Sequence, residues 1–434
     1  MKIAIVGSGI AGLTAAYRLW PLDHHITVFE RSPSLGLSEH TLEWASDSGT
    51  QRVDVPLRLM NQFQWPEIVN LYQDISVETD QINASLSFSD INETSYLNLD
   101  FSSLFASTAS SLFQSRARQI VQEIARFRSI GLKDLSNSLG DDISLNSYLA
   151  NNDFSDAFKF GFLFPILSST VCTCSYAALA NYPARIILES LAKITTSENM
   201  GDLVLFKARH GMQDVSSRLA RKGIEVRTNV AIESVSCGTD QVTLQLQRGD
   251  SNQNLSSESF DHVILATQAN HAARLLSTPD NKEQEMLNCF DYETIEVVVH
   301  QDQELLPPKK DSWKAFNMIS QNLEGHRAMC SIWLNRFAPA LNLSPDMFQT
   351  INPLFEPEEE KTLLKTSLQR PIVDRKSFRG WKLLEEIHDE ADRRIWFVGS
   401  YASPGVPLLE TGVVSSQRVV DAIRLRHASS SSSS

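Results

Sequence analysis

Three glycines near the N-terminus have the spacing of a phosphate-binding turn. Gly7, Gly9 and Gly12 form the pattern G-x-G-x-x-G, and an acidic residue, Glu30, follows eighteen positions after the last glycine. Such glycines permit a tight turn, close approach of the backbone to a pyrophosphate and close packing of a helix on a strand, while the acid accepts hydrogen bonds from a ribose diol. These residues therefore predict a site for an adenine dinucleotide.

The elements that must position these residues are predicted by the residues around them. Lys2 to Val6 is rich in β-branched residues and predicts a strand, Ala11 to Trp20 predicts a helix, and Ile26 to Phe29 predicts a second strand that ends at Glu30. The N-terminus of the helix then attracts the negative charge of the phosphates. The order strand, turn, helix, strand and acid favours a dinucleotide site over a tight turn that binds nothing.

The composition fits a globular enzyme and argues against two classes of partner. The chain has 434 residues, 42% hydrophobic and 21% charged, with a formal net charge of −13, so nucleic acids and anionic membranes would be repelled. Five cysteines are too few for a disulfide framework and indicate a reducing compartment. Without a basic leader or an apolar run of about 20 residues, the sequence predicts a cytoplasmic protein with no membrane span and a small-molecule partner.

A loop rich in Ser, Pro and Gly follows Glu30, and Leu35 to Ser38 in it read Leu-Gly-Leu-Ser. In the flavin-containing amine oxidoreductases, the ribose acid is followed by a glycine-rich turn, often Leu-Gly-Gly and a polar residue, that lies along the phosphates of FAD. The loop resembles that turn, with Leu37 at the position of the second glycine. The resemblance implies cofactor contacts at Gly7, Gly9, Ile10, Ala11, Gly12, Glu30, Arg31, Gly36, Leu37 and His40.

The segment from Arg52 to Asn61 resembles the part of that family which runs beside the flavin ring. It is most similar to a branch of NAD/FAD-binding oxidoreductases associated with lipid modification, although Val55 stands where a glycine is usual. The resemblance implies FAD contacts at Leu57, Arg58, Leu59 and Met60, and it places Arg58, Met60 and Asn61 near the ring. Arg58 is either a surface or ion-paired arginine, or a cation that binds an acidic group of the substrate.

Two later stretches resemble further parts of the same cofactor domain. Gly223 to Val235 resembles a pair of short strands, in which the backbone at Val230 contacts the adenine. Phe260 to Thr267 resembles the strand that precedes the departure of the chain into a substrate domain, and this implies cofactor contacts at Ala266 and Thr267.

The C-terminal part, Arg394 to Arg424, reads as strand, loop and helix, and it resembles the final FAD motif of the family. In that motif the helix points its N-terminus at the flavin pyrimidine, where the helix dipole stabilises negative charge. Ser400 stands in place of the usual acid after Gly399. The resemblance implies FAD contacts at Gly399, Ser400, Leu408 and Leu409 and places Tyr401 near the ring.

A catalytic base is not evident in the sequence. His300 and Asp302 lie two apart in a predicted strand, so they share a face and could form an acid–base pair, or Asp302 could cap the strand end. The lysine that the family places near flavin N5 has only unaligned candidates, Lys309, Lys310 and Lys314.

The cysteine pair Cys172 and Cys174 lacks a second cluster at ligand spacing. Core thiols are therefore favoured over metal ligands, and no metal site is predicted.

The fold class predicted from these segments is α/β, with a discontinuous Rossmann-like FAD-binding domain and an inserted α+β substrate domain. The FAD-binding domain is predicted to comprise residues 1–77, 201–270 and 390–427, and the substrate domain residues 78–200 and 271–389. Within the insertion, Phe113 to Ile130 and Phe154 to Leu167 have helical spacing. Residues 428–434 are predicted to form a disordered serine tail.

The predicted function is an FAD-dependent oxidoreductase of the oxidase or desaturase type, which takes hydride from an apolar substrate that carries a carboxylate or an amine. FAD is expected to bind non-covalently, because the last cysteine is Cys330 and the C-terminal cysteine that attaches flavin in some amine oxidases is lacking. One alternative is a redox-neutral isomerase that shifts a double bond in a lipid or polyene. A second, motivated by Leu37, Val55 and Ser400, is a non-catalytic FAD-binding protein. Oligomeric state is left open.

Overall fold

Strands and helices alternate along most of the chain. A computed structural model describes residues 1–46, 49–100, 115–195, 204–248, 255–321 and 326–431. The strands are β1 Lys2–Val6, β2 His25–Phe29, β3 Leu42–Ser46, β4 Gly49–Val53, β5 Thr79–Gln81, β6 Ser85–Asp90, β7 Leu97–Asp100, β8 Phe206–Ala208, β9 Glu225–Arg227, β10 Val230–Cys237, β11 Val242–Arg248, β12 Leu255–Phe260, β13 His262–Leu265, β14 Tyr292–His300, β15 Phe316–Gln321, β16 Arg327–Trp333, β17 Phe348–Ile351, β18 Thr362–Pro371 and β19 Ile395–Phe397. The α-helices are α1 Ile10–Leu19, α2 Pro66–Asp74, α3 Ser115–Ser136, α4 Leu145–Asn151, α5 Asp156–Phe158, α6 Phe164–Ile166, α7 Tyr176–Asn181, α8 Ala184–Thr195, α9 Gly211–Leu219, α10 Ala269–Leu275, α11 Asn281–Leu287, α12 Leu334–Phe337, α13 Arg375–His388 and α14 Leu409–Ser431.

A five-stranded parallel sheet, in the order β19, β13, β1, β2, β9, joins three separated parts of the chain. Its central strand β1 buries Ile3, Ala4 and Ile5 completely, as expected where both faces of a parallel sheet are covered. Helices α1 and α14 pack together against this sheet, and Ser416 Oγ donates to Ala11 O at 2.7 Å. The predicted N-terminal unit of strand, helix and strand is confirmed.

A seven-stranded sheet forms the second half of the molecule, in the order β18, β14, β17, β16, β15, β6, β7. Its neighbouring strands are antiparallel except β15 and β6, which run parallel. Because β6 and β7 precede the other five strands by almost two hundred residues, this sheet also joins separate parts of the chain. The predicted α/β fold class is confirmed, with a parallel sheet and a separate, mostly antiparallel sheet. The domain limits stay a prediction, and residues 201–203 lie outside the described residues.

Helices cover part of the second sheet near β6, β15 and β16. Helix α3 packs against α8 and α5; it continues past Ile130 to Ser136, while residue 113, where the sequence predicts its start, lies outside the described residues. The helix predicted over Phe154 to Leu167 is not continuous. Two π-helical segments, Lys159–Leu163 and Leu167–Val171, flank the short α6, and such wide turns often occur at functional sites.

The closing helix α14 extends to Ser431. The prediction of a disordered tail from residue 428 is therefore wrong for residues 428–431, where the serines continue a helix that is already formed. Extending an existing helix adds one backbone hydrogen bond per residue without a new nucleation step. Residues 432–434 lie outside the described residues.

Candidate active site

A cleft of about 1750 Å³, open to solvent at its mouth, lies where the parallel sheet meets the seven-stranded sheet. The residues Gly9 to Ala11 at the start of α1 and the residues Leu408 to Glu410 at the start of α14 line one side. Most of the predicted cofactor residues line this cleft, and they are Gly9, Ile10, Ala11, Gly36, Leu37, Leu57, Arg58, Leu59, Ala266, Thr267, Gly399, Ser400, Leu408 and Leu409.

The glycine turn has the shape of a phosphate cradle. Gly7 has a φ of +106°, and a Cβ added to it would lie 2.8 Å from Ala266 O. A Cβ added to Gly12 would lie 2.0 Å from Gly7 O, whereas one added to Gly9 would meet no atom within 4 Å. Gly9 is also the N-cap of α1 and makes no side-chain cap, so the first N–H groups of the helix are free to bind an anion.

Glu30 ends β2 beside this cradle and is buried, with 7% of its surface exposed. Its Oε2 accepts hydrogen bonds from Ser8 N at 3.0 Å and Ser8 Oγ at 2.6 Å, and its Oε1 accepts one from Ser32 N at 3.0 Å. Ser8 Oγ in turn accepts from Gly36 N at 2.7 Å. Ser8 therefore joins the glycine turn, the acid and the following loop. The sequence did not mark it as a site residue, although a serine between Gly7 and Gly9 is a pattern that could have indicated this role.

The remaining predicted cofactor residues do not line this cleft. Gly7 and Gly12 shape the turn from behind, and Val230 N donates to Glu30 O at 3.0 Å, which places Val230 beside the acid. The predicted cofactor residues that lie outside the lining of the cleft are Gly7, Gly12, Glu30, Arg31, His40, Met60 and Val230.

Met60 and Asn61 differ from the prediction that places them near the ring. Met60 is buried and pairs with Phe206 through two backbone hydrogen bonds of 3.0 and 2.9 Å. Asn61 is fully buried, and its Oδ1 accepts from Phe63 N at 3.0 Å and Gln64 N at 2.9 Å. Both residues therefore fix the turn that leads into α2 and do not line the cleft.

Arg58 does line the cleft. Its Nη1 donates to Pro56 O at 3.2 Å, and its Nε is buried without a hydrogen-bond partner among the described residues. Burial, followed by the nearby charge of Arg370, lowers the pKa of Arg58 to about 10. Asp54 contributes a weaker opposing attraction, but its Oδ1 accepts from Met212 N at 2.9 Å at the start of α9. Arg58 is thus a largely desolvated cation with unused donor capacity.

A second arginine, Arg370, lines the cleft and was missed by the sequence analysis. It lies on β18 two residues after Leu368, on the same face of the strand. Its Nε donates to Thr173 Oγ1 at 2.7 Å and its Nη2 to Pro407 O at 2.8 Å, and burial lowers its pKa. The sequence offered only one signal for Arg370, a basic residue in a strand of mixed pattern. Its position near Arg58 arises from the fold.

Tyr401 lines the cleft, although it is 3% exposed. Its backbone carbonyl accepts from Trp381 Nε1 at 2.7 Å, whereas its hydroxyl is buried without a hydrogen-bond partner among the described residues. Burial raises the pKa of Tyr401 well above its ordinary value, so the phenol is neutral and can donate a hydrogen bond into the cleft.

His300 does not reach the cleft. It lies at the opposite end of β14 from the cleft residue Tyr292, roughly 26 Å away at about 3.3 Å per residue. Its Nε2 bonds with Thr350 Oγ1 at 2.7 Å, and Asp302 N donates to its Nδ1 at 3.2 Å. Asp302 accepts from Glu304 N and Glu358 N at 3.2 and 2.9 Å. The strand-end role, not the acid–base pair, therefore matches this geometry.

No lysine is among the described residues that line the cleft. Lys310 instead forms an ion pair of 2.7 Å with Asp346, and Lys309 and Lys314 lie outside the lining. Cys172 and Cys174 are buried free thiols whose pKa values are raised by burial. Within the described part of the chain, no group of three or more His, Cys, Asp or Glu side chains is placed to hold a metal ion.

An apolar chamber of about 1250 Å³, which includes the open space at its mouth, adjoins the cleft. The chamber and the cleft share four lining residues, Leu59, Trp65, Thr170 and Phe316. Helices α3 and α8 and both π-helical segments supply most of the walls, which are almost entirely aliphatic or aromatic. Arg128 is the one charged residue among the described residues of the lining. The sequence predicts apolar helices in the inserted domain, but it does not predict the chamber between them.

These residues fit FAD. An added side chain at Gly9 would occupy the open space at the helix N-terminus, which suits the pyrophosphate. The Tyr401 hydroxyl is a buried polar group with no hydrogen-bond partner among the described residues, and it borders the part of the cleft predicted to hold the flavin ring. A bound polar ring system would satisfy such groups, which are costly when left unpaired.

Comparison with known proteins gives a family and a fold. The sequence model for the flavin-containing amine oxidoreductases matches residues 10–361. Among solved structures, a CLA-producing fatty acid isomerase from P. acnes aligns with a TM-score of 0.68 at 16% identity, covering 96% of this chain and 98% of that one. A putrescine oxidase bound to putrescine aligns with a TM-score of 0.63 at 14% identity, covering 98% and 100%.

A cyclohexylamine oxidase from Brevibacterium oxydans also aligns, with a TM-score of 0.63 at 11% identity, covering 97% of this chain and 98% of that chain. No curated protein matches the sequence. Among the helices that the structure describes, none combines the length and the apolar character needed to cross a bilayer.

Proposed function

The chain belongs to the family of flavin-containing amine oxidoreductases, and from this premise we propose that it binds FAD non-covalently and oxidises an apolar organic substrate. The observation that carries the proposal is the continuity of two spaces: the cleft with the glycine cradle at one end shares its inner wall with an apolar chamber. A cofactor in the cleft would face a substrate that extends into the chamber.

The residues proposed to hold FAD divide along its length. The start of α1 at Gly9 would bind the pyrophosphate, Glu30 the ribose, and the start of α14 at Leu409 the pyrimidine end of the flavin. All five cysteines are described, and none of them lines the cleft, which supports non-covalent binding. The same free thiols support a cytoplasmic location, which we also propose.

When bound, FAD would supply the redox chemistry, by taking a hydride equivalent from the substrate and passing the electrons to an acceptor. The protein contributes orientation and exclusion of water. Leu57, Leu59 and Phe316 line the cleft with apolar surface, and Tyr401 can donate a hydrogen bond from its neutral hydroxyl. A dry site strengthens each of these electrostatic contacts.

The visible spectrum of the purified protein tests the cofactor assignment. We expect flavin absorbance that is released in near-equimolar amount when the protein is denatured, because nothing in the cleft offers a cysteine thiolate for attachment. A colourless protein that takes up no FAD would contradict the proposal. Flavin that stays with the denatured chain would contradict the non-covalent part alone.

A redox-neutral isomerase is a second candidate, favoured by one observation. Glu410 is the single acid among the described cleft residues, and its two oxygens already accept from Glu67 N at 3.1 Å and Ile68 N at 2.9 Å. A reaction that returns its hydride to the substrate has no net proton for a protein base to carry away. Anaerobic addition of substrate separates the candidates, because lasting bleaching of the flavin indicates net oxidation, whereas product formed without bleaching indicates isomerisation.

A further inference from the structure

The walls of the cleft carry an excess of positive charge at one place. Arg58 and Arg370 both line it, and the charge of Arg370 is near enough to Arg58 to add to the effect of burial in lowering the pKa of Arg58. Among the described residues, neither guanidinium forms an ion pair with a carboxylate, although the nearby Asp54 exerts a weaker opposing attraction on Arg58. Glu410, the acid of the same cleft, has both oxygens bonded to the N-terminus of α2. The local field therefore attracts an anion and repels a protonated amine.

The donor groups at this place are also incompletely used. Arg58 has one hydrogen bond, from Nη1 to Pro56 O, and its Nε is buried without a partner among the described residues. A planar guanidinium with free N–H groups matches the two oxygens of a carboxylate. Arg370 is held in place by Thr173 Oγ1 and Pro407 O, so it contributes a fixed positive charge beside Arg58.

The apolar chamber opens next to this pair of arginines. Leu59 lines both the cleft and the chamber and directly follows Arg58 in the chain, and consecutive Cα atoms are about 3.8 Å apart. On the opposite side, the π-helical segment Leu167–Val171 lines the chamber and leads to Thr173, the partner of Arg370. Two wall segments thus connect the arginines with the chamber. One carries Arg58 and then Leu59, and the other carries the apolar residues of Leu167–Val171 and then Thr173, which accepts from Arg370.

We propose that the substrate is a long-chain aliphatic acid, with its carboxylate against Arg58 and Arg370 and its hydrocarbon chain in the chamber. This assignment rests on the proposed function, and it adds the chemical class of the substrate and its direction in the site. Trp65 and Phe316, which line both spaces, then flank the chain where it enters the chamber. Arg128 at the chamber wall would contact the chain through its aliphatic stem.

Binding of a brominated fatty acid to the FAD-saturated protein tests this proposal. Bromine quenches tryptophan fluorescence at short range, so dibromostearic acid with mid-chain bromines should quench Trp65 saturably, and the Trp65→Phe variant should lose that component. The methyl ester of the same acid lacks the negative charge, and we expect it to bind at least about tenfold more weakly, which corresponds to about 1.4 kcal/mol.

Matched arginine variants give the direction of the chain. Arg58→Gln should abolish the preference for acid over ester, whereas Arg128→Gln should retain it. Equal affinity of acid and ester for the unaltered protein would overturn the proposal. Loss of the preference in Arg128→Gln alone would also overturn it, because the chain would then lie in the reverse direction.

Two chamber variants test the position of the hydrocarbon. Ala84→Phe and, independently, Ala192→Phe place a ring in the lining. Each variant should bind dibromostearic acid more weakly than the unaltered protein does. Its affinity for octanoic acid, measured by competition with the brominated acid in the folded variant, should stay within about twofold of that of the unaltered protein. Unchanged affinity for the long acid in two folded variants would exclude the chamber as its site.

The outcome is separable from that of the proposed function. A protein that binds no FAD fails the proposed function, yet its Trp65 quenching still reports whether the acid enters the chamber. A protein that binds FAD, but whose Arg58→Gln variant loses FAD affinity and keeps the preference for acid over ester, contradicts only the substrate assignment, because Arg58 would then serve the cofactor.

Discussion

At the glycine turn, a single added carbon on Gly12 would lie 2.0 Å from a backbone oxygen, whereas the chamber that adjoins the cleft leaves open space between its apolar side chains. The cofactor end of the site is built from backbone atoms whose positions are set by tight packing of β1, α1 and β13. The substrate end is built from side chains on α3, α8 and the π-helical segments. The cofactor end therefore tolerates almost no change in shape. The substrate end could accept a different ligand after substitution of a few apolar side chains.

Gly12→Ala should have the largest effect. Its Cβ would overlap Gly7 O and approach the Ala266 side chain to 3.0 Å, and overpacking of this kind costs about 3 kcal/mol or more. Denaturant unfolding of the FAD-free protein measures it. Ala84→Gly, a comparable change in size at the chamber wall, serves as the control and should cost much less. Equal losses would contradict the contrast between the two ends.

Acid should destabilise the second half through His300. The ordinary pKa of histidine is 6.5, and burial lowers that of His300 to about 4. The unfolded chain therefore takes up the proton first, so stability is complete above pH 6.5 and declines toward pH 4, by about 3 kcal/mol for this group. His300→Asn should flatten the pH dependence of unfolding free energy over that range. An unchanged slope would show that His300 is not neutral in the fold.

Gly9→Ala sharpens the comparison, because it separates binding from folding at the rigid end. Its Cβ meets no protein atom within 4 Å, so the thermal midpoint of the FAD-free protein should not change. The same Cβ enters the space proposed for the pyrophosphate, and FAD affinity should fall by about tenfold or more, which is about 1.4 kcal/mol. Fluorescence titration with FAD measures the loss. Retained affinity would place the phosphates elsewhere.

Arg58→Met should have the smallest effect and the opposite sign. Arg58 is a buried cation whose Nε has no hydrogen-bond partner in the described part of the chain, so its replacement with an apolar side chain should stabilise the FAD-free protein by about 1 kcal/mol. Arg370→Met is the matched control and should destabilise, because it removes the bonds to Thr173 and Pro407. If both variants lose stability, Arg58 is a structural residue and not one held for a ligand.

The sequence predicted the parts of the site that depend on short segments. The strand, glycine turn, helix and second strand follow from local pattern. Gly9, Gly36, Arg58 and Tyr401 line the cleft, and their contacts with a cofactor stay a prediction. His300 and Asn61, two further candidates from the sequence, do not line the cleft. His300 bonds with Thr350, which long-range strand pairing brings beside it. Asn61 accepts from Phe63 N and Gln64 N in a local bend.

By itself, then, the sequence determined the glycine turn and the α/β class, because the close packing at Gly7 and Gly12 requires glycine at fixed spacing and leaves that requirement in the chain. The tertiary structure alone decided the rest of the site. Arg370 and Thr173 are 197 positions apart in the chain, and the chamber is empty space between helices that each read as ordinary apolar helices. Neither a distance between remote residues nor a gap in packing is written in any local pattern, since both arise only when the sheets and helices are assembled.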